Sequence, residues 1–173
     1  MTLGVTGALT GDGNTAAAFD GVDDSVQVPD AAALDLNGSW SIEFWARQVS
    51  FANSLPGILD KGDATTPHGY AIWADSSGDL WFERHNRDAE AGSGALTSAF
   101  RYFVVTYDGS DVRWYVDGTL KTTTAVHFPT NNGSAILELG RAVDYGNDAL
   151  DEVALYATAL SGGQIAAHYS AGT

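Results

Sequence analysis

The sequence predicts an all-β protein in which two mainly antiparallel sheets pack as a sandwich. Residues 100–118 contain two runs of aromatic and β-branched residues separated by an Asp-Gly turn, which is the pattern of a β-meander. The 20 glycines are spread along the chain, as expected for a fold with many turns. No predicted helix is long enough for a βαβ crossover, so neighbouring strands are expected to run antiparallel.

The other elements follow from alternating apolar residues and from turn signals. Residues 1–15 are small and polar, and we expect a surface arm or a short edge strand there. Strands are predicted, in chain order, over 16–19, 25–28, 40–49, 57–61, 70–74, 80–85, 103–107, 112–116, 120–128, 135–141 and 150–156. Residues 86–94 contain no apolar side chain larger than Ala and are expected to form an exposed loop. The spacing of Ser161 and Gln164 is that of a capping box, which starts one short helix.

The strand predicted over 103–107 is apolar on both faces. Its odd-numbered and even-numbered residues point to opposite faces, and both sets are mostly aromatic or β-branched. A strand of that kind belongs in the middle of a layered sheet. We therefore expect Phe44, Val104 and Val116, which lie in strongly β-patterned segments, in or beside the core.

The composition predicts one domain over residues 1–173 with an adequate core, since 45% of the residues are hydrophobic. The 22 acidic and 8 basic residues give a net charge of −14, which would repel phosphate backbones and anionic membranes. Nucleic acid is therefore not an expected partner, and no apolar run is long enough for membrane insertion. The acidic side chains do offer many oxygen ligands for a hard cation such as calcium.

Four fragments resemble the laminin-G-like, concanavalin A-like jelly-roll domains in the order found in that family. They are AFDGVDDSVQVP at 18–29, WSIEFWAR at 40–47, VTYDGSDVRWYVDG at 105–118 and LDEVALYATALSGGQI at 150–165. The resemblance implies a two-sheet jelly roll, and it is much less specific for function. The chain departs from the family at Phe100, where a Trp is usual, but another aromatic side chain keeps the packing role.

Acidic residues cluster beside the first predicted strand, in Asp20, Asp23 and Asp24. Related jelly-roll domains often bring an acidic loop of this kind and an Asp of the last strand together around a structural calcium ion. The resemblance therefore implies calcium ligands at Asp20, Asp24 and Asp151. The alternative is that these acids are turn and surface residues, as Asp commonly is.

Five tryptophans offer flat surfaces on which sugar rings could stack, although aromatic residues on sandwich strands more often fill the core. Alternation places Trp45 on the opposite face of its strand from Ile42 and Phe44. It likewise places Trp81 on the opposite face from Leu80 and Phe82. Trp45 and Trp81 are therefore the two that we expect to leave the inter-sheet core and to bind a ligand.

No catalytic pattern is found, and the chain is not expected to be an enzyme. Retaining glucanases of this fold carry closely spaced carboxylates on one strand, whereas Glu43 is a single acid on its strand. Asp151 and Glu152 are adjacent and should point to opposite faces. The histidines match no zinc-ligand spacing; they are His68, His85, His127 and His168. A glycoside hydrolase whose residues converge from separate strands is the less favoured alternative.

The sequence thus predicts a non-catalytic recognition or surface-decoration module, with carbohydrate or a surface protein as its partner. One setting is a virion, as a phage capsid decoration or tail component. The alternative is a carbohydrate-binding or adhesion module of a secreted or cell-surface protein. The N-terminal residues lack the basic start and apolar core of a signal peptide, which favours the virion if Met1 is the natural start.

Overall fold

Two antiparallel sheets of seven and six strands face each other as a jelly-roll sandwich, in a computed structural model of the chain. The structure describes residues 1–50, 53–62, 69–92, 94–130 and 133–173. His68 and parts of the loops predicted around 63–68 and 131–132 lie outside these residues. The predicted fold class is confirmed.

The strands and helices have the following bounds. In chain order the strands are β1 (Thr2–Thr6), β2 (Thr15–Ala18), β3 (Val26–Val28), β4 (Trp40–Gln48), β5 (Gly57–Lys61), β6 (Tyr70–Ala74), β7 (Leu80–Glu83), β8 (Asp88–Glu90), β9 (Arg101–Tyr107), β10 (Asp111–Val116), β11 (Thr119–Ala125), β12 (Leu137–Leu139) and β13 (Asp148–Tyr156). A 3-10 turn covers Ala32–Asp35, and helix α1 covers Gly162–Gly172. The strand orders are β1-β2-β13-β4-β9-β10-β11 and β3-β12-β5-β6-β7-β8.

The main core lies between the two sheets. Strands β4 and β9 occupy the middle of the seven-stranded sheet, and their inward side chains are fully buried, as the apolar character of β9 on both faces predicts. Phe44 stacks on Phe103 with ring centroids 5.5 Å apart, and Val116 is buried in the same cluster. The core positions predicted for Phe44 and Val116 are confirmed.

A second apolar cluster covers the outer face of the seven-stranded sheet. Val104 belongs to it and is 0% exposed, because α1 and the loop after β1 pack over β4 and β9. Ile165 and Tyr169 of α1 lie four residues apart and both face this cluster, as predicted. The capping box is present. The Ser161 hydroxyl accepts a hydrogen bond from the backbone amide of Gln164, and the Gln164 side-chain oxygen accepts one from the backbone amide of Ser161. The helix therefore begins where the sequence predicts it.

The segment predicted as an exposed loop over 86–94 contains the edge strand β8. Ala89 and Ala91 are buried, and the Trp114 indole donates a hydrogen bond of 2.7 Å to the Ala89 carbonyl. The prediction was wrong because it required large apolar side chains, whereas small ones fit here beneath a bulky core tryptophan.

Strand β13 contains a β-bulge between Asp151 and Ala154, where Glu152 adopts a φ of 49°. The bulge interrupts the regular alternation of side chains. Asp151 accepts a hydrogen bond from the Ala8 amide and Glu152 accepts one from the Asn14 side chain, so both carboxylates meet the segment between β1 and β2. The expectation that they point to opposite faces was wrong for this reason.

Among the residues that the structure describes, no helix has both the length and the apolar character needed to span a bilayer.

Candidate functional site

Trp73 of β6 and Trp81 of β7 form a cross-strand pair on the outer face of the six-stranded sheet. We call them the tryptophan pair. Their ring centroids are 5.6 Å apart and their planes are inclined by 14°, so the two indoles are stacked. Their strand neighbours Ile72 and Phe82 point inward and are 0% exposed, whereas both tryptophans are only partly buried. The outward placement predicted for Trp81 is the one observed.

A row of acidic side chains runs across the same outer face beside the tryptophan pair. The β-sheet register aligns Glu138, Asp60, Ala71, Glu83 and Asp88 on successive strands. These positions lie two residues from the tryptophans along their strands, and side chains two residues apart share a face. Ala71 lies between Asp60 and Glu83 in this row. Aromatic rings beside carboxylate acceptors are the elements with which proteins hold sugar rings and their hydroxyl groups.

Sequence reasoning found Trp81 but did not single out Trp73. The signal was present, because the two tryptophans are equally far from the ends of the five-residue turn 75–79 that joins their strands. A hairpin closed symmetrically around that turn pairs Ala74 with Leu80 and hence Trp73 with Trp81.

Trp45 leaves the inter-sheet core as predicted, but it is covered and only 6% exposed. Tyr102 and Tyr169 pack against its indole with centroid distances of 5.3 and 5.8 Å. A Cβ added at Gly172 would lie 2.8 Å from the ring, so α1 closes over it tightly. Trp45 is therefore largely covered, but it lines a cavity of about 320 Å³ beside α1, together with Glu43 and His168. Its assignment to ligand binding stays a prediction.

Glu43, the single acid of β4, is held by three side chains on the outer face of the seven-stranded sheet. The Tyr102 and Tyr156 hydroxyls each donate a hydrogen bond of 2.6 Å to its carboxylate, and His168 Nδ1 lies 2.9 Å from it. Burial alone would raise the pKa of Glu43, but the bonds from these three groups outweigh it and lower the pKa. In turn, burial and then the bond to Glu43 raise the pKa of Tyr156 to about 12. The arrangement keeps Glu43 ionised and suits an anchor for α1 better than a proton donor.

The acids assigned to calcium by resemblance do not all lie together. Asp20, Asp23 and Asp24 have ligand atoms within 4.8 Å of one another, and the first two are exposed. The amino terminus of Met1 is ion-paired with Asp24. Among the described residues, these three acids form the group that could hold a metal ion. Asp151 is not part of it. Its carboxylate instead accepts the Ala8 amide at 2.8 Å.

Asp148, which sequence reasoning missed, is a buried carboxylate without a partner. It is 0% exposed, and neither of its carboxylate oxygens has a hydrogen-bond donor among the described residues. Burial raises its pKa to about 8. A Cβ at Gly146 would lie 2.5 Å from both Asp148 Oδ2 and the Gly57 carbonyl oxygen, so these two oxygens approach the same point. The side-chain oxygen of the strand neighbour Gln48 is also buried without a partner. Carboxylate, amide and carbonyl oxygens are the ligand types that a hard cation prefers.

Solved structures with the same fold include binding domains of larger proteins. The binding domain of botulinum neurotoxin DC, in complex with rat synaptotagmin II, is 18% identical with a TM-score of 0.72, and the match covers 95% of this chain and 45% of that one. Botulinum neurotoxin type C, described as depending on two ganglioside molecules for cell entry, is 16% identical with a TM-score of 0.69, and 90% of this chain and 42% of that chain are covered. This chain thus spans less than half of the neurotoxin chains.

A domain of a bacterial enzyme is similar over more of its own length. Domain 4 of AbnA, an extracellular arabinanase from Geobacillus stearothermophilus, was solved with arabinotriose. It is 19% identical with a TM-score of 0.65, and the match covers 89% of this chain and 76% of that one. No curated protein matches the chain in sequence.

A family model described as the concanavalin A-like lectin/glucanases superfamily matches residues 20–166. The matched range contains the tryptophan pair and every strand from β3 to β13. The chain therefore belongs to the concanavalin A-like lectin/glucanases superfamily.

Proposed function

We propose that the chain is a non-catalytic recognition module that binds carbohydrate through the tryptophan pair. The observation that carries this proposal is the stacked, partly exposed pair of Trp73 and Trp81 on a sheet face bordered by acidic side chains. Sugar C–H groups pack on indole rings, and carboxylates accept hydrogen bonds from sugar hydroxyls. A sheet presents such groups on a rigid backbone, which lowers the entropy lost on binding.

The related structures support a binding role in general terms. The arabinanase domain was solved with arabinotriose, and a neurotoxin of the same fold depends on gangliosides. Another neurotoxin binding domain was solved with synaptotagmin, so a protein partner is the second candidate. For the present chain the paired indoles favour a sugar, because partly exposed aromatic rings lie beside carboxylate acceptors on the same sheet face.

The absence of catalysis is also part of the proposal. Glu43 is ionised and occupied by three hydrogen-bond donors, and Asp151 and Glu152 are hydrogen-bonded to the segment between β1 and β2. A retaining glycosidase needs one carboxyl group kept as an acid beside a free nucleophile. We expect no new reducing ends when the purified protein is incubated with polysaccharides, and their appearance would overturn this part.

A structural calcium ion is proposed as well, with Asp148 as its carboxylate ligand. The support is that both Asp148 oxygens are buried without donors and that the Gly57 carbonyl oxygen lies close by. Calcium bound there would tie β13 to β5 and stabilise the fold by binding linkage, by about 2.7 kcal/mol at a hundredfold excess over the dissociation constant. Asp20, Asp24 and Asp151 remain the ligands that the family resemblance implies.

Melting curves distinguish the two sets of calcium ligands. We expect metal-free protein to melt at a higher temperature when calcium is added, and we expect Asp148→Asn to abolish this response. Asp151→Asn should retain it, because the Asp151 carboxylate is occupied by the Ala8 amide. Loss of the response in Asp151→Asn alone would favour the ligands implied by resemblance, and equal curves with and without calcium would remove the ion from the proposal.

The biological setting proposed for this binding is a virion or cell surface. A phage decoration or tail protein is the first candidate and a secreted or cell-surface adhesion module the second, and both rest on the family resemblance. Genes for capsid or tail proteins beside this one, or the chain in purified virions, would support the first.

The binding itself is tested on a glycan array, with arabinotriose as an additional probe. We expect a defined glycan to bind the wild-type protein and to be lost in Trp81→Ala. Leu120→Ala is the control, because Leu120 is exposed on the other sheet. An array without any hit, or with hits unchanged in Trp81→Ala, would contradict the proposed site.

A further inference from the structure

Two buried cations in this protein have very different surroundings. Lys61 is fully buried, and its ammonium group lies 2.6 Å from Asp30 and 3.6 Å from Asp35. Arg84 is 2% exposed, yet it forms no ion pair with any described carboxylate. A buried charge is ordinarily paired with an opposite charge. Because the protein carries 22 acidic residues, the lack of an ion pair at Arg84 is unexpected. Asp35 favours the charged form of Arg84 from beyond ion-pair distance, but it is itself paired with Lys61.

The Arg84 guanidinium is held in place by neutral groups. Nη1 donates to the Leu36 carbonyl at 2.9 Å, and Nη2 donates to the Pro129 carbonyl at 3.1 Å. The Phe128 ring lies 5.6 Å from its central carbon. A guanidinium has five N–H groups, and the buried Nε–H of Arg84 has no acceptor among the described residues. The side chain is therefore fixed in position but its charge is only partly compensated.

A cleft of about 330 Å³ opens over Arg84 at one end of the sandwich. Arg84 and Tyr107 line its inner part, and His127 and Thr130 line the exposed part. A volume of this size is at the lower end of the range for small-molecule sites. The cleft would hold a single sugar residue or a molecule of similar size.

We propose that this cleft binds a small monocarboxylate, of the size and chemistry of a uronic acid, with Arg84 as its charged contact. A guanidinium matches the planar fork of a carboxylate, and desolvation strengthens such a pair. A carboxylate is favoured over phosphate because the net charge of −14 repels ligands more strongly as their negative charge rises. The burial that lowers the pKa of Arg84 is the same desolvation that an incoming anion would offset.

This site is separate from the tryptophan pair and does not depend on it. Arg84 directly follows β7 and is buried between loops that precede β4 and follow β11. Trp81 lies on the outer face of the same sheet. The two surfaces can therefore be tested one at a time.

The first test titrates D-glucuronate into the wild-type protein by calorimetry or NMR, with D-glucose as the uncharged match. We expect saturable binding of glucuronate that glucose does not reproduce. Acetate should bind more weakly than glucuronate and compete with it, because it supplies the carboxylate without the ring. No binding of glucuronate, or equal binding of glucose, would overturn the proposal.

A matched pair of variants tests the position of the site. Thr130→Asp places a second carboxylate at the cleft and should weaken glucuronate binding about tenfold or more. Thr123→Asp adds the same charge at an exposed position of β11 that does not line the cleft, and it should leave binding nearly unchanged. Equal losses in both variants would mean that only net charge matters, and would contradict the assignment.

Two further variants separate this site from the other proposals. Arg84→Gln should abolish glucuronate binding if its circular dichroism spectrum is native, and the Thr130→Asp result decides the question if this variant does not fold. Trp81→Ala should bind glucuronate like the wild type. Loss of binding in Trp81→Ala would place the carboxylate on the tryptophan pair and refute the Arg84 cleft.

Discussion

Asp148 is a carboxylate kept away from both water and hydrogen-bond donors. Its pKa of about 8 means that, without a cation, the buried group is largely protonated at neutral pH. A bound cation would reverse this preference, because it stabilises the ionised form. The stability of the protein should therefore depend on pH in a way that calcium changes.

The pH dependence of Asp148 has a definite sign. Between its ordinary pKa of 3.8 and its folded pKa of about 8, the folded state holds this proton more tightly than the unfolded state does. The free energy of unfolding should therefore fall as pH rises through this range. In the presence of a chelator, the free energy of unfolding of Asp148→Asn should not show the fall that Asp148 causes. The variant should therefore be more stable than the wild type at pH 8. Denaturant titrations from pH 4 to pH 8 measure the difference, and parallel curves for the two proteins would contradict the account.

Val104 is a residue at which a single charge should prevent folding. It is 0% exposed in the cluster beneath α1, and an unpaired buried carboxylate costs several kcal/mol against a total stability of roughly 5–15 kcal/mol. We expect Val104→Asp to be insoluble or unfolded when expressed. Val143→Asp, at a 59% exposed valine, is the control and should melt close to the wild type. A folded Val104→Asp with an unchanged melting temperature would refute the packing described.

At the level of elements, α1 matters because it covers the outer face of the seven-stranded sheet. Its capping box fixes the start of the helix, and Ile165 and Tyr169 then face the sheet. The cover buries Trp45, whereas Trp73 and Trp81 on the other sheet stay partly exposed. The helix therefore makes the outer faces of the two sheets different, because it covers only one of them.

The capping box gives a prediction for this element. Ser161→Ala should lower the free energy of unfolding by about 1 kcal/mol, because the backbone amide of Gln164 loses its hydrogen-bond acceptor. Ser170→Ala removes an exposed hydroxyl from the same helix and should change stability by a few tenths of a kcal/mol at most. Urea unfolding of both variants provides the comparison, and equal stability losses would show that the cap is not the cause.

Periodicity predicted most elements because their inward and outward residues differ strongly in polarity. It failed at β8, where Ala89 is core but too small to be recognised as such, and at the bulge beside Glu152, which a period of two does not represent. For the site, alternation placed Trp81 outside the core, but the stacking with Trp73 required strand register. The lack of a partner for Asp148 depends on the distant segments of Gln48 and Gly57 that pack near it, and no local pattern contains that information.

At the scale of the whole molecule, the sandwich separates three chemical environments. The tryptophan pair and its acidic neighbours lie on the outer face of one sheet, and α1 packs on the outer face of the other. Arg84 lies at one end between loops, where a cation is left without a carboxylate partner in a protein of net charge −14. Under the two binding proposals, the sheet face binds one ligand and the loop cleft binds another, and the two sites do not overlap.

The most direct test of the central claim is the affinity of the glycan found on the array for variants of the tryptophan pair. Calorimetry on Trp73→Ala and Trp81→Ala should each show binding weakened about tenfold or more, because each indole supplies one stacked ring of the surface. Leu120→Ala should bind like the wild type, and all variants should retain the native circular dichroism spectrum. Unchanged affinity in both tryptophan variants would contradict the proposal that this pair is the carbohydrate site.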